Sequence, residues 1–189
     1  MSKEEEGFPI TALWEIKILW KLSHPNIVNL YDIVVSKRKI SFILAVDPRV
    51  QRPEVYIVFP YMEHDMHGLL DKNVNFSMSH IKCLMRQLLE GIKYLHQNSV
   101  MHWDIKGANL LLNKKGNLKL TDFGLAWKYD PIEHQRLNLT NWVVTLWYWA
   151  PELLLGSVNY DTKIDIWSAG CFFIELLINK PVFPGNNEL

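Results

Sequence analysis

The hydrophobic positions of the first 60 residues predict one helix followed by a small β-sheet. Between Pro9 and Leu22 the apolar residues recur at helical offsets, and Pro9 suits a first helical turn. A turn signal at residues 24–26 comes next. Three runs rich in β-branched and aromatic residues then predict strands of one sheet, at residues 27–35, 40–46 and 55–59. Pro60 should end the last strand, which leaves residues 61–65 as an exposed connector and a candidate hinge.

Two further helices are predicted downstream. The apolar residues between 81 and 95 fall on a single helical face, and Ser77 or Ser79 is available as the N-cap. Residues 162–177 are apolar almost all round, and such a helix belongs in a core.

Between these helices the pattern predicts a hairpin and a long loop. Residues 110–112 and 118–121 have strand character and flank a turn-forming stretch. No periodicity persists between residues 124 and 150, which indicates a long functional loop.

Composition narrows the classes of function. The chain has 189 residues, 49% of them hydrophobic, so disorder is not expected. Lys+Arg and Asp+Glu both number 20, and net charge therefore implies neither direct nucleic-acid binding nor a membrane surface. Cys83 and Cys171 lie in apolar helical patterns, so we expect two core thiols in a reducing, intracellular setting. The longest apolar stretch, at residues 171–178, is too short to span a bilayer.

Candidate chemistry begins at residues 102–109, with the sequence HWDIKGAN. The spacing is that of the protein kinase catalytic loop, H-R-D, four residues and Asn, with Trp103 in place of Arg. A phosphoryl acceptor hydroxyl must be oriented and must lose its proton, which a carboxylate such as Asp104 can accomplish. Asn109 supplies a neutral oxygen ligand for a magnesium ion.

Three more motifs follow in the order of a kinase. They are DFG at residues 122–124, APE at 150–152 and DIWSAG at 165–170. The segment FPITALWE at residues 8–15 resembles the cyclin-contacting helix of cyclin-dependent kinases. GAN at 107–109, TLWY at 145–148 and ELLLG at 152–156 are similar to the transcription-associated branch. This resemblance implies an α+β, two-lobe, protein kinase-like fold, with a partial N-terminal lobe at 1–61 and a partial C-terminal lobe at 62–189.

The resemblance also assigns roles to single residues. Asp104 would be the base or orienter, Lys106 would contact the γ-phosphate, and Thr145 would belong to the catalytic group. Asn109 and Asp122 would hold Mg²⁺.

Further assignments concern the bound ATP and the activation loop. Glu15 would pair with the ATP-anchoring lysine, and Thr140 falls where the family carries its activating phosphate. Four residues would contact the adenosine moiety: Phe59 as the gatekeeper, Met62 at the hinge, Asp65 at the ribose and Leu111 beneath the base.

The function implied is transfer of the ATP γ-phosphoryl group to protein Ser or Thr. A cyclin would bind the helix around Phe8 to Leu22, the substrate would include the tail of RNA polymerase II, and the location would be nuclear. Lys106 argues against a tyrosine kinase. The family's Gly-rich loop and strand-three lysine are expected upstream of Glu15, where this chain has neither. Two alternatives therefore stay open: a pseudokinase or cyclin-binding remnant, and a gene product that does not fold.

Six tryptophans depart from the family pattern. They occupy positions where the resemblance predicts a basic residue, usually arginine: Trp14, Trp20, Trp103, Trp127, Trp142 and Trp149. A systematic coding, editing or translation effect is our leading hypothesis, ahead of independent mutations. Three of the six, at 14, 103 and 127, match arginines that grip the activating phosphate. Indole offers one neutral donor where guanidinium offers five and a charge, so phosphorylation of Thr140 is not expected to order the loop.

Overall fold

The computed structural model of the protein describes residues 10–35, 55–129, 145–157 and 160–185. Its first part contains helix α1 (Ile10–Leu19) and strands β1 (Asp32–Val35) and β2 (Val55–Val58). The two strands pair antiparallel, with Asp32 opposite Val58. The predicted helix and the predicted sheet are confirmed. The strand expected over 27–35 is shorter than predicted, and the one at 40–46 lies outside the described residues.

The second part is built mainly on helices. These are α2 (Met66–Asp71), α3 (Met78–Gln97), α4 (Pro151–Leu154) and α5 (Lys163–Ile178), with short 3₁₀ turns at Gly107–Asn109 and Leu146–Tyr148. Its strands are β3 (His64–Asp65), β4 (Val100–Met101), β5 (Leu110–Leu112), β6 (Leu118–Leu120) and β7 (Trp127–Lys128). Strands β3, β5 and β6 form one antiparallel sheet, and β4 pairs with β7. The predicted hairpin is confirmed as β5–β6.

The connector at 61–65 is only partly as predicted. Tyr61 is 84% exposed. His64 and Asp65, however, continue into a ladder, opposite Leu112 and Leu111 of β5. The expectation of a free connector over these two residues was wrong, because the outer edge of the β5–β6 hairpin offers partners to their backbone groups.

Helix α3 organises the core. Ser77 is its N-cap, and the Ser77 side chain accepts a hydrogen bond from the backbone N–H of His80. The apolar stripe predicted from the sequence is buried, at Ile81, Leu84, Leu88, Ile92 and Leu95. It packs in one cluster with residues of α1, β6 and α5, among them Leu19, Leu118, Leu120 and Phe172.

The segment that follows α1 extends the second part of the molecule. Val28 N–H donates to the carbonyl of Leu120 at 2.9 Å, and Leu120 N–H donates to the carbonyl of Asn26 at 2.9 Å. The Asn26 amide also donates to the carbonyl of Leu118 and to the side chain of Gln87. These bonds hold the segment after α1 beside β6, the strand that leads into the DFG segment at 122–124.

Two expectations about burial hold only in part, since α5 gives Ala169, Phe172 and Leu176 to the main core and Cys171 is buried. Helix α5 packs on α3 and on the 3₁₀ turn at Leu146–Tyr148 along one side only. Its other side exposes an apolar face made of Ile166, Trp167, Phe173, Ile174, Leu177 and Ile178. Cys83 is exposed, because it lies off the apolar stripe of α3, whereas Cys171 is buried as predicted. Among the described helices none is both long and apolar enough to cross a membrane.

Candidate active site

Three predicted site residues meet in the loop after β4. The Asp104 carboxylate oxygen Oδ2 accepts hydrogen bonds from Lys106 Nζ at 2.8 Å and from Asn109 Nδ2 at 2.9 Å. Asn109 Nδ2 also donates to the Asp104 carbonyl at 2.8 Å. The 3₁₀ turn at 107–109 brings the amide back over the carboxylate, and both side chains are more than 90% buried. Among the described residues no hydrogen bond reaches the second oxygen, Oδ1 of Asp104.

A close approach of two backbones explains the glycine in this turn. A Cβ on Gly107 would lie 3.1 Å from the backbone nitrogen of His67 in α2. Contacts that short are rarely tolerated, so a side chain at 107 would push the loop away from α2. The small residue therefore positions Asn109.

Asp165 of α5 holds the backbone of this loop. Its side chain is 1% exposed and accepts hydrogen bonds from the backbone N–H groups of His102 at 3.0 Å and Trp103 at 2.9 Å. It also bonds His96 Nε2 at 2.8 Å. Trp103 has a φ of 70°, a left-handed conformation that is costly for a large side chain. The bonds to Asp165 stabilise that conformation.

His102 links the loop to the DFG segment. The ring is fully buried: Nδ1 accepts from the backbone N–H of Asp104 at 3.3 Å, and Nε2 lies 3.0 Å from the carbonyl of Thr121. It also packs edge-on against Phe123, with centroids 4.8 Å apart. Burial lowers the pKa of His102 and outweighs the opposing charges of nearby carboxylates such as Asp165. The neutral ring, with its proton on Nε2, satisfies both bonds.

The structure places Asp122 beside this cluster through its neighbour. Thr121 N–H donates to the carbonyl of Asn109 at 3.0 Å, so the DFG segment starts against the catalytic loop. Asp122 has a φ of 62°, is exposed, and accepts a hydrogen bond from Gly124 N–H at 3.3 Å.

Glu15 of α1 also lies close to Asp122 and to the backbone of Phe123. Burial raises the pKa of its carboxyl, the charge of Asp122 raises it further, and a hydrogen bond from the Phe123 backbone opposes the rise. Among the described residues no cation pairs with Glu15. Glu15 and Asp122 are therefore close to each other without a neutralising charge between them.

Of the four residues assigned to the adenosine moiety, two are brought together. Asp65 and Leu111 lie opposite each other in the β3–β5 ladder. The Asp65 carboxylate also caps α2, accepting from Gly68 N–H at 2.7 Å, a role that the sequence did not suggest. Phe59 is half-buried against the core, and Met62 is half-buried as well.

The remaining assignments are Thr145, in the catalytic group, and Thr140, the phosphorylation site. Thr145 is half-buried, stands directly before the 3₁₀ turn at Leu146–Tyr148 and makes no side-chain cap there. No hydrogen bond within the described ranges joins Thr145 to Asp104. Thr140 lies outside the described residues.

The protein kinase domain family matches the chain over residues 1–189. The chain belongs to the protein kinase family. Cyclin-dependent kinase C-1 of Arabidopsis thaliana is 52% identical over 190 residues, which cover 100% of this chain and 37% of that protein. The CTD kinase subunit alpha of Saccharomyces cerevisiae is 45% identical over 190 residues, covering 100% of this chain and 33% of that protein. The resemblance to transcription-associated cyclin-dependent kinases is confirmed.

A solved kinase structure supports the fold class. The crystal structure of the yeast RNA Pol II CTD kinase CTDK-1 complex matches with a TM-score of 0.83 and 44% sequence identity, covering 100% of this chain and 56% of that one. The predicted α+β, kinase-like fold is confirmed. This kinase chain spans about 37% of the length of the first curated relatives that it matches.

Two residues that position the kinase loop, His102 and Asp165, had been given no role from the sequence. Both stood inside recognised motifs, but the motif gives only their spacing along the chain. An acidic residue at the start of an otherwise apolar helix was the available signal for Asp165, because a buried carboxylate needs hydrogen-bond donors.

Of the six departing tryptophans, Trp142 lies outside the described residues and Trp20 is exposed just after α1. The other four lie in two places. Trp14 and Trp127 lie side by side, with ring centroids 5.9 Å apart, whereas Trp103 stacks on Tyr160 at 5.4 Å. The indole nitrogens of Trp103 and Trp149 are buried and have no hydrogen-bond partner among the described residues. An unsatisfied buried donor costs about 1–3 kcal/mol. Trp103 and Trp149 therefore fit their sites imperfectly.

Proposed function

We propose that this chain contributes the catalytic loop of a serine/threonine protein kinase of the cyclin-dependent type, which transfers the γ-phosphoryl group of ATP to a protein hydroxyl. The observation that carries the proposal is the Asp104 carboxylate, held at one oxygen by both Lys106 and Asn109. The other oxygen is presented to an acceptor hydroxyl. A family match alone would not supply that geometry.

Each of these groups has a separate part in the reaction. Asp104 orients the acceptor hydroxyl and receives its proton as the oxygen attacks. The Lys106 ammonium, 2.8 Å from Asp104, is positioned to neutralise charge on the phosphoryl group being transferred. Both side chains are largely removed from water, which strengthens their electrostatic effect.

Asn109 and Asp122 have the donor atoms that fit a magnesium ion. The Asn109 amide points its nitrogen at Asp104, and within the described ranges its oxygen has no hydrogen bond. Within the same ranges Asp122 accepts a hydrogen bond at one carboxylate oxygen, from Gly124. Oxygen ligands of this kind suit Mg²⁺. When bound, the ion would neutralise negative charge on the phosphates of ATP.

The nucleotide and the two lobes complete the enzymatic proposal. We infer that Phe59, Met62, Asp65 and Leu111 contact the adenosine moiety, that Thr145 supports catalysis, and that Thr140 is the phosphorylation site. The lobes are proposed to be 1–61 and 62–189. Support for the nucleotide site comes from the pairing of Asp65 with Leu111, because β3 contacts the 3₁₀ turn at Gly107–Asn109 that follows Asp104.

Partner, substrate and location are proposed from the relatives. A cyclin would bind along α1 and the turn after it, where Leu13, Trp14 and Trp20 are exposed. Relatives named as CTD kinases favour the RNA polymerase II tail as a substrate, and hence a nuclear location.

A phosphoryl-transfer assay tests this proposal. The chain is mixed with Mg-ATP, a cyclin and a peptide of the RNA polymerase II tail, and phosphopeptide is measured by mass spectrometry. We expect Asp104→Asn to lower the rate by about 10²-fold or more. The control, Asp161→Asn, removes a surface carboxylate paired with Lys163 and should keep the rate. Equal rates for wild type and Asp104→Asn would contradict the role of Asp104.

A second candidate function is a cyclin-binding pseudokinase. It is favoured by Glu15, which has no described cation partner and whose pKa is raised by burial. In this case the chain would bind cyclin, show no phosphopeptide in the same assay, and show no change in melting temperature with Mg-ATP. A melting shift caused by Mg-ATP would exclude this candidate.

A further inference from the structure

We propose that the chain binds a small aromatic anion in a pocket between α1 and the β4–β7 ribbon. The cavity has a volume of about 510 Å³. That volume lies within the range of small-molecule sites in proteins. None of the residues assigned to catalysis, magnesium or ATP lines it, so the proposal does not depend on phosphoryl transfer. Trp14 also lies on the α1 surface proposed for a cyclin, so binding is measured on the chain without cyclin.

An aromatic wall forms one side of the pocket. The rings of Trp14 and Trp127 are 5.9 Å apart and inclined at 37°, and Trp14 is 44% exposed. An indole offers a wide face on which a planar ring can stack. The apolar side chains of Leu22, Val100 and Ala126 lie behind the two rings.

Three lysines surround the aromatic wall. Lys17, Lys21 and Lys128 line the pocket, and no acidic side chain does. Lys17 Nζ lies 4.9 Å from the centre of the Trp14 ring. None of the three ammonium groups forms an ion pair within the part of the chain that the structure describes. The pocket therefore combines apolar ring surface with unneutralised positive charge.

This combination selects the chemistry of the ligand. A neutral aromatic molecule would leave the three ammonium groups without an anion, and an inorganic anion would make no use of the exposed part of the Trp14 ring. A planar ring that carries a carboxylate, sulfonate or phosphate satisfies both features. Asn98, at the C-terminal end of α3, adds an amide to the pocket rim. Trp14 and Trp127 stand at two of the three positions where the resemblance predicts phosphate-gripping arginines, but the third, Trp103, does not line the pocket, and its cations are lysines that the resemblance gives no role.

Binding is tested by NMR titration of the ¹⁵N-labelled chain with 2-naphthalenesulfonate. The indole N–H signals are assigned from single Trp→Phe variants. We expect the signals of Trp14 and Trp127 to move together, and Trp14→Ala to weaken binding about tenfold. Trp20→Ala is the matched control: it makes the same substitution in the neighbouring turn, at a 73% exposed residue outside the pocket, and should leave the affinity unchanged.

The charge requirement is tested separately. Lys21→Gln should weaken binding about threefold, and added salt should weaken wild-type binding as well, since both reduce the attraction between lysines and sulfonate. Lys115→Gln, in the β5–β6 turn, is the control and should have no effect. The neutral 2-naphthalenesulfonamide should bind more weakly than the sulfonate. Equal affinity for the two compounds, an equal loss with Trp20→Ala, or no loss with Trp14→Ala would overturn the proposal.

Discussion

His102 packs against the ring of Phe123, while Glu15 accepts a hydrogen bond from the backbone of the same residue. Burial lowers the pKa of the imidazole and raises the pKa of the carboxyl. Both shifts favour the neutral form. The two groups consequently give folding opposite dependences on pH.

The first prediction concerns Glu15→Gln. The unfolded carboxyl titrates near pH 4.3 and the folded one at higher pH. Between those values the native state binds more protons, so the contribution of Glu15 to stability is present at low pH and is lost as pH rises through the folded pKa. The variant should therefore gain stability relative to wild type as pH rises above about 4.3. Urea unfolding across pH 4.5 to 8 measures the difference.

An exposed carboxylate provides the comparison. Glu90→Gln, which removes the surface partner of Arg86, is the comparison variant and is measured in the same window. If Glu15→Gln gained no stability over wild type as pH rises, Glu15 would not be buried beside Asp122 in the native chain.

The second prediction concerns Asp165→Asn. The carboxylate accepts three hydrogen bonds from His96, His102 and Trp103, and an amide offers only one oxygen for them. Bonds to a charged group are worth about 1.5–3 kcal/mol each, so we expect a loss of about 2 kcal/mol or more in the free energy of unfolding. Asp161→Asn, at an exposed ion pair, should cost less than about 1 kcal/mol. Similar losses for the two variants would contradict the anchoring role.

Spacing explains which of these residue roles the sequence revealed. Asp104 and Asn109 are five positions apart, so a local turn brings them together and their contact follows from the motif. Asp165 is 63 positions from His102, and only the packing of α5 beside the loop brings it there. The sequence does not give that packing directly.

At the scale of single elements, α3 is the helix that the sequence predicts most clearly. Its apolar residues repeat over five turns, and one face is buried along its whole length. The shorter helices α2 and α4 were missed because six and four residues carry too little periodicity. Strand β3 has two residues and is stabilised only by β5, so its existence is set by tertiary structure.

The third prediction tests the stripe on α3. Ile92→Ala removes a fully buried side chain from the main core and should lower the free energy of unfolding by about 2–5 kcal/mol. Leu89→Ala, on the same helix at a residue 44% exposed, should cost clearly less. Chemical denaturation of both variants makes the comparison. Equal costs would mean that the helix faces the core differently.

At the scale of the whole molecule, the apolar face of α5 distinguishes the structure from the sequence-based expectation. The pattern of residues 162–177 correctly predicted an apolar helix, but not that one side would lie exposed. Periodicity cannot reveal this, because a helix that is apolar all round has no polar side from which its orientation follows. Exposed apolar patches of this kind favour association.

The fourth prediction follows from that face. Replacing Ile174 and Leu177 with lysine should reduce light scattering at high protein concentration, because the charges interrupt the patch. Both side chains are exposed, so unfolding free energy should change little. Leu155→Lys places a charge at another exposed leucine and should not reduce scattering as much. Unchanged scattering in the double variant would show that the α5 face does not mediate association.

The hydrogen bonds from His102 and Trp103 to Asp165 also impose an order on biosynthesis. The backbone amides of His102 and Trp103 emerge from the ribosome about 60 residues before the Asp165 carboxylate that accepts their hydrogen bonds. At about 5–20 residues per second, that interval lasts roughly 3–12 seconds. Throughout it the nascent loop lacks its anchor, and Trp103 has nothing to hold its left-handed backbone. The reactive geometry around Asp104 is therefore acquired late, when α5 has been made.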